Sequence, residues 1–407
     1  MANTLLTPTA VTREAGRILH QKLNFVGACN KQYDDSFKNG GGAVKGKFGP
    51  TLKIRMPNEY VVRSGLSMGS GAALDTNEHS VDLTVSTVKG VDLQFTSTEL
   101  ALSLDDFSSR ILDPAMSVLA ANIEADALSM YKEVYNLYDG DAAAFGFSPV
   151  TNARQILTDN LAPSDANRTM ILNTGHATKY MIDTKGLFHD SAAIKQQYRD
   201  GMVGRSSGFD FYENTLLLPH ATGTAAKTTG YAVNGAVTTN GAAAVTVKTG
   251  TTTFKAGDVF TVAGCFRVHP ETKASTGVLQ QFVVTADYAG GAGDLSFSPA
   301  LYTSGGRQNV VAAGMPADAA LVKVGAGASE TLVQSLAFHR DAFAFVTADL
   351  PLPEGTDWAA REVIDGISLS VVRDFSISDR SFPCRLDVLY GYKAIRPQLA
   401  CRVHNDG

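Results

Sequence analysis

Between Ala221 and Ser335 the sequence changes texture, and that change constrains the architecture more than any motif does. The stretch is built from Gly, Thr, Ala and Val with few charges, and an ordinary α/β composition resumes after it. This pattern reads as one domain inserted into another. Apolar residues inside it come in short runs, such as Ala244-Val245-Thr246-Val247 and Val259-Phe260-Thr261-Val262, separated by glycine-bearing turns such as Lys255-Ala256-Gly257-Asp258. Short strands joined in this way predict a small barrel or sandwich. An insertion leaves and rejoins its host at neighbouring points, so the chain before His220 and after Leu336 is expected to form one continuous body.

Composition sets the remaining bounds. A chain of 407 residues, 44% hydrophobic and 18% charged, can bury two or three cores, which excludes disordered and collagen-like classes. Thr9 to Val26 is broken by Arg13, Glu14, Arg17 and His20, so neither a secretory signal nor a membrane span is expected. Cys29, Cys265, Cys384 and Cys401 lie far apart without a Cys-x-x-Cys pair, and read as reduced, partly buried hydrophobes. A net charge of -5 argues against tight nucleic-acid binding, which needs concentrated Lys and Arg.

The host has a distinctive order of elements. A helix is predicted over Thr12 to Leu23, followed by a long extended region in which Thr51 to Met56, Val81 to Val85 and Val91 to Phe95 alternate as strands. With no helix between them, these read as hairpin arms projecting from a body. Asp113-Pro114 then reads as an N-cap and first helical position, and Met116, Leu119, Ile123, Ala127, Met130, Val134 and Leu137 recur at helical spacing. A helix from Pro114 to Tyr138 would be about 37 Å long, a spine. Helices near Val150 to Asn160, His176 to Asp183 and Ser191 to Tyr198 flank a strand at Arg168 to Leu172. After the insert, strands are predicted at Ala342 to Val346, Ser368 to Val372, Arg385 to Tyr392 and Leu399 to Val403.

Candidate chemical sites dissolve on inspection. Gly41 to Lys47 has phosphate-loop spacing, but Phe48 stands where Ser or Thr is required. Gly69 to Leu74 lacks the third glycine of a dinucleotide turn. The histidines show no His-x-x-x-His spacing and no Gly-x-Ser-x-Gly elbow occurs, so no metal, cofactor or catalytic residue is expected. Asp105 and Asp106, beside Ser103, read as helix-capping charges rather than a catalytic pair. Asn167-Arg168-Thr169 has glycosylation spacing that carries no weight without export.

The order of arm, extended loop, spine helix, compact domain and late β return resembles the major capsid protein of tailed bacteriophages, and in particular the short-tailed-phage coat proteins with an inserted β-barrel. The residues that carry this are Tyr198-Arg199-Asp200-Gly201, Gly208-Phe209-Asp210 and Leu218-Pro219 before the insert, and Lys255 to Asp258 with Val262-Ala263-Gly264 within it. Cys384-Arg385-Leu386, Tyr390-Gly391, Ala394 and Arg396-Pro397 complete the set at the end. The resemblance implies an α+β tailed-phage capsid fold. Its parts would be an N-terminal arm (1–36), an extended loop (37–100), a peripheral domain with the spine (101–144), an axial domain in two parts (145–220 and 336–383), the inserted β domain (221–335) and a peripheral β return (384–407). It implies a non-enzymatic coat subunit that forms hexamers and pentamers of an icosahedral shell around double-stranded DNA. Its partners would be other copies, a scaffolding protein and a portal protein, with assembly in the bacterial cytoplasm and no membrane. The Gly-rich Thr238 to Thr253 is either a bridging loop between capsomers or an ordinary surface hairpin.

A shell subunit needs arms, stiff elements and contacts with many neighbours, and the charges suit this. Lys45, Lys47, Lys53, Arg55 and Arg63 concentrate in the extended loop, while Asp34, Asp35, Asp105, Asp106 and Glu124 fall in peripheral segments. They are candidates for matched contacts between subunits, or else they merely solvate a hairpin. Met116, Leu119, Ile123, Met130 and Val134 are the expected core of the spine. Two other classes compete: a surface adhesin with a β-rich binding domain, and an enzyme carrying an inserted β domain. Adhesins are usually exported, tandem and mostly β, whereas this chain has one such domain and a long central helix, and nothing beyond length supports the enzyme.

Overall fold

Thirteen residues in alternating register, Phe382–Ala394, form the longest strand among the described residues, and a sheet is built on it. The computed structural model describes residues 8–33, 51–62, 65–66, 78–95, 111–140, 145–184, 204–325, 327–356, 358–364, 366–375 and 382–404. They divide into two units, one of Met1–Ile54, Val81–Ser129 and Phe343–Ile395, the other of Arg55–Ser80, Met130–Ala342 and Arg396–Gly407.

In the first unit the long strand is paired along both edges. Asp387 is opposite both Ser370 and Gly90, and Leu389 opposite both Ala348 and Val88. One edge is thus taken by Thr87–Phe95, the other in succession by Ile367–Arg373 and Phe343–Ala348, and Trp358–Ile364 extends the sheet. Thr87–Phe95 is therefore no projecting arm, contrary to expectation: a nine-position antiparallel ladder with a well-buried strand satisfies its backbone better than solvent does. Gly90 makes the pairing possible, because a Cβ there would fall 2.2 Å from Asp387 Oδ1 and 2.6 Å from the Leu386 carbonyl oxygen. Thr51–Arg55 and Ser80–Thr84 form a separate two-stranded sheet.

The helix of this unit runs from Asp113 to Leu128 and is continued by a 3-10 turn over Ser129–Glu133, ending short of Tyr138. Sixteen residues span about 24 Å, so the spine is a third shorter than its periodicity predicts. Residues further on are claimed by a different partner: Leu137–Asp139 is a strand running parallel to Ala400–His404. Leu112, rather than Asp113, is the capping position, and Pro114 sits in the first turn where its missing N–H costs nothing. A second helix, Pro8–Lys22, begins four residues earlier than its apolar pattern suggests.

The second unit holds a six-stranded mixed sheet and a closed barrel. The sheet order is Leu137–Asp139, Ala400–His404, Gln334–His339, Arg168–Leu172, Phe209–Glu213 and Arg205–Ser206, with Phe147–Asp159 and Thr174–Thr184 as its helices. The barrel closes through Ala242–Lys248, Gly293–Leu301, Ser275–Val284, Val259–Val268, Ala320–Lys323 and Thr228–Val233. Its interior is apolar and aromatic: the rings of Phe282 and Phe297 lie 4.9 Å apart and those of Phe260 and Phe282 5.8 Å, with Val245, Val262 and Leu295 fully buried around them. Burial of each such side chain stabilises by about 1.5–3 kcal/mol. The chain leaves and rejoins the sheet through a short pair, Ala221 opposite Thr331 and His220 opposite Leu332. Within Thr238–Thr253, residues Ala242–Lys248 are a barrel strand paired with Gly293–Leu301. The helix expected over Ser191 to Tyr198 lies outside the described residues.

Candidate assembly surfaces and the buried polar latch

The charges expected to face neighbouring copies do not all do so. Glu124 is 1% exposed, and its carboxylate accepts the backbone N–H groups of Phe25 and Val26, the latter at 3.2 Å. Phe25–Ala28 is a single helical turn, whose leading amides have no carbonyl partners of their own. Glu124 therefore fastens the arm to the helix within one subunit and is not a contact between subunits. Two residues further along, Asp126 accepts from the Tyr390 hydroxyl at 2.5 Å and pairs with Lys89 at 2.7 Å, tying the helix to the sheet. Burial, and then the neighbouring Asp126, push the Tyr390 phenol upward, so it stays a donor.

Lys53 and Arg55 are exposed on Thr51–Arg55, whose buried member is Ile54. Arg55 pairs across the loop with Glu78 at 3.5 Å, with side chains 81% and 58% exposed. Lys45, Lys47, Arg63, Asp34, Asp35, Asp105 and Asp106 lie outside the described residues, as do the glycine-rich segments Gly41 to Lys47 and Gly69 to Leu74. Met116, Leu119, Ile123, Met130 and Val134 are each at most 2% exposed.

Sequence reasoning missed a cluster of buried polar groups where the barrel joins its sheet. His220 Nε2 lies 2.9 Å from Asp258 Oδ1, and the second oxygen of Asp258 accepts from Gly223 N at 3.0 Å and Lys255 N at 2.8 Å. Lys323, 1% exposed, donates to Ala225 O, Gly327 O and Thr222 Oγ1 and lies 3.6 Å from Glu330. Gln281 imitates a strand, its side chain accepting from Leu137 N and donating to Leu137 O, both at 2.8 Å. Arg402 faces the Tyr131 ring, and burial pushes its guanidinium down to about 10. The only sequence signal for this cluster was the Gly257-Asp258 turn itself.

None of this is set up for bond-making. Burial pushes the thiols of Cys265 and Cys401 up to about 12 and that of Cys384 to about 11, which keeps them protonated and unreactive. Among the described residues no group of three or more His, Cys, Asp or Glu side chains is placed to hold a metal ion. No helix among them is long and apolar enough to cross a membrane. Most of these polar groups pair with one another and hold elements together, while Arg402 Nε and Nη2 are buried without a hydrogen-bond partner among the described residues.

A match over most of the chain to a coat-protein family model makes the class that of a capsid subunit, here a mixed α+β frame interrupted by a closed barrel. The chain matches the family model described as P22 coat protein, gene protein 5, over residues 43–402, and so belongs to that family. It is a major capsid protein of the tailed-phage type, a component of the virion shell that associates with its own copies, and it is not an enzyme. The adhesin reading is not supported. Among solved structures it is similar to that of Mycobacterium phage Che8, with 13% identity over 94% of this chain and 90% of the other and a TM-score of 0.48. It is similar also to the capsid of Cyanophage P-SCSP1u, with 11% identity over 92% and 94% and a TM-score of 0.41. The CUS-3 coat protein I-domain is 25% identical over 24% of this chain and 96% of that one, with a TM-score of 0.19. No curated protein sequence matches the chain.

Proposed function

We propose that copies of this chain assemble as hexamers and pentamers into an icosahedral shell that encloses double-stranded DNA. Assembly proceeds in the bacterial cytoplasm, around a scaffolding protein and from a portal protein. The observation that carries this reading is the family match, which runs through both the frame and the inserted barrel. The net charge of -5 fits it, since a lining that does not grip phosphate leaves packed DNA free to move. In this scheme the arm is 1–36, the extended loop is the part of 37–100 outside the sheet strand Thr87–Phe95, the peripheral domain is 101–144 with 384–407, and the axial domain is 145–220 with 336–383. The barrel region is 221–335. Lys45, Lys47, Lys53, Arg55, Arg63, Asp105 and Asp106 are the charges assigned to contacts between copies.

The test is expression of the full chain with and without a co-expressed scaffolding protein, followed by sedimentation and negative-stain microscopy. Closed shells of uniform diameter are expected. Soluble monomers that never form shells under either condition would overturn the proposal.

A further inference from the structure

We propose that the barrel's Ser304–Gln308 turn is a rest that fixes the root of the extended loop, Arg55–Val62, and so positions that loop for joining to a neighbouring copy. The inference rests on the shell-forming reading above. Arg55–Ser80 belong to the same unit as the barrel, and the approach is backbone against backbone. A Cβ built on Gly306 would fall 2.1 Å from the Glu59 carbonyl oxygen, 2.8 Å from its carbon and 3.3 Å from Tyr60 N. Glycine is needed at 306 for space alone, because any side chain would displace a peptide group of the loop.

The turn is stiffened from within, as a rest must be. Lys273 Nζ donates to Gly306 O at 2.5 Å and Gln308 O at 3.4 Å, and Asn240 Nδ2 donates to Ser304 Oγ at 3.0 Å. Arg307 lies over the Tyr302 ring at 4.3 Å and donates to its hydroxyl at 2.7 Å. Both limbs of the loop sense charges at the rest, one from Lys273, which braces the turn, and one from Arg307 within it. Burial pushes the Lys273 ammonium down while Glu59 opposes it. On the returning limb His79, whose carbonyl accepts from Met56 N at 2.9 Å, is pushed down by burial and then by Arg307. Directly beyond the rest, Tyr60, Val61 and Val62 are 67%, 59% and 89% exposed. A rest at their root fixes where this exposed apolar segment emerges from the subunit, which a coat subunit that binds its own copies can use.

The experiment compares the full chain with Gly306→Val, with Arg307→Glu, which places like charge near Glu59 on an exposed side chain, and with Lys227→Glu as a charge control elsewhere on the barrel. Hydrogen exchange of residues 55–62 in Gly306→Val should quicken while the barrel strand Val259–Val268 keeps its protection. Shell yield from Gly306→Val and Arg307→Glu should fall by about tenfold or more, because a weak contact is repeated around the whole shell. Lys227→Glu should assemble as wild type does. If Gly306→Val fails to fold, Arg307→Glu decides. Wild-type yield from the folded variants, or unchanged exchange at 55–62, overturns the inference. Failure of the wild-type chain to form shells would overturn the shell-forming proposal instead.

Discussion

Asp258 Oδ1 lies 2.9 Å from His220 Nε2, and both side chains are buried. His220 is on the strand by which the chain leaves the sheet, and Asp258 closes a turn at the start of a barrel strand. Because the same carboxylate also holds Gly223 N and Lys255 N, one side chain latches the barrel to its point of insertion.

Removing that carboxylate takes the acceptor from His220 Nε2 and Gly223 N, which are buried, and from the part-buried Lys255 N. Asp258→Ala should destabilise the second unit by about 1–3 kcal/mol, the cost of leaving a buried donor unsatisfied. Asp258→Asn, which keeps one acceptor oxygen, should cost less. Urea unfolding of the full chain followed by near-ultraviolet circular dichroism measures both. A wild-type midpoint for Asp258→Ala would show that the latch contributes nothing.

Glu124 gives a prediction opposite in kind to an assembly residue. Glu124→Ala strips two buried amides of their acceptor and should lower monomer stability by about 1–3 kcal/mol, whereas a contact between subunits would leave the monomer unchanged. Glu124→Gln should recover part of the loss. Thermal melting of unassembled subunits separates the two roles.

Glu124 also shows where the sequence stops being legible. Its neighbours Leu119, Ile123 and Ala127 repeat at helical spacing, so the helix and its buried face could be read directly. A carboxylate among them reads as solvated, because the amides it serves belong to residues nearly a hundred positions away. The helix end at Leu128 was hidden for the same reason: the pairing of Leu137–Asp139 with Ala400–His404 is long-range. The barrel was legible because its alternation and glycine turns are local. Its latch was not, apart from the turn that contains Asp258.

Asp165 makes the sheet of the second unit sensitive to acid. Burial pushes its carboxyl up, but hydrogen bonds from Asn167 N, Asn167 Nδ2 and His339 Nε2 outweigh this and hold it at about 2, against 3.8 when unperturbed. A depressed carboxyl contributes stability that is complete above pH 3.8 and is lost as pH falls towards 2. The side chain is 43% exposed, so solvent screening keeps the effect modest. Asp165→Asn should therefore flatten the decline of melting temperature between about pH 4 and 2. Parallel curves for the variant and wild type across that window would exclude the assignment.

The charges of the extended loop test what holds copies together. Arg55 already pairs with Glu78 of its own chain, in an exposed geometry worth about 0–1 kcal/mol, so its loss should barely affect the monomer. Lys53 is exposed beside buried Ile54, and truncating it leaves the strand's apolar side in place. Repetition is what gives such weak charges weight, because each is copied around the whole shell and its attraction is screened by salt. Replacing Lys53, Arg55 and Arg63 together by Ala should leave monomer melting nearly unchanged and lower shell yield, with the deficit shrinking as salt rises and wild-type contacts weaken. Sedimentation of shells against monomers across a salt series reads this directly. Superimposable curves for wild type and triple variant would leave these three residues the lesser role of solvating an exposed hairpin.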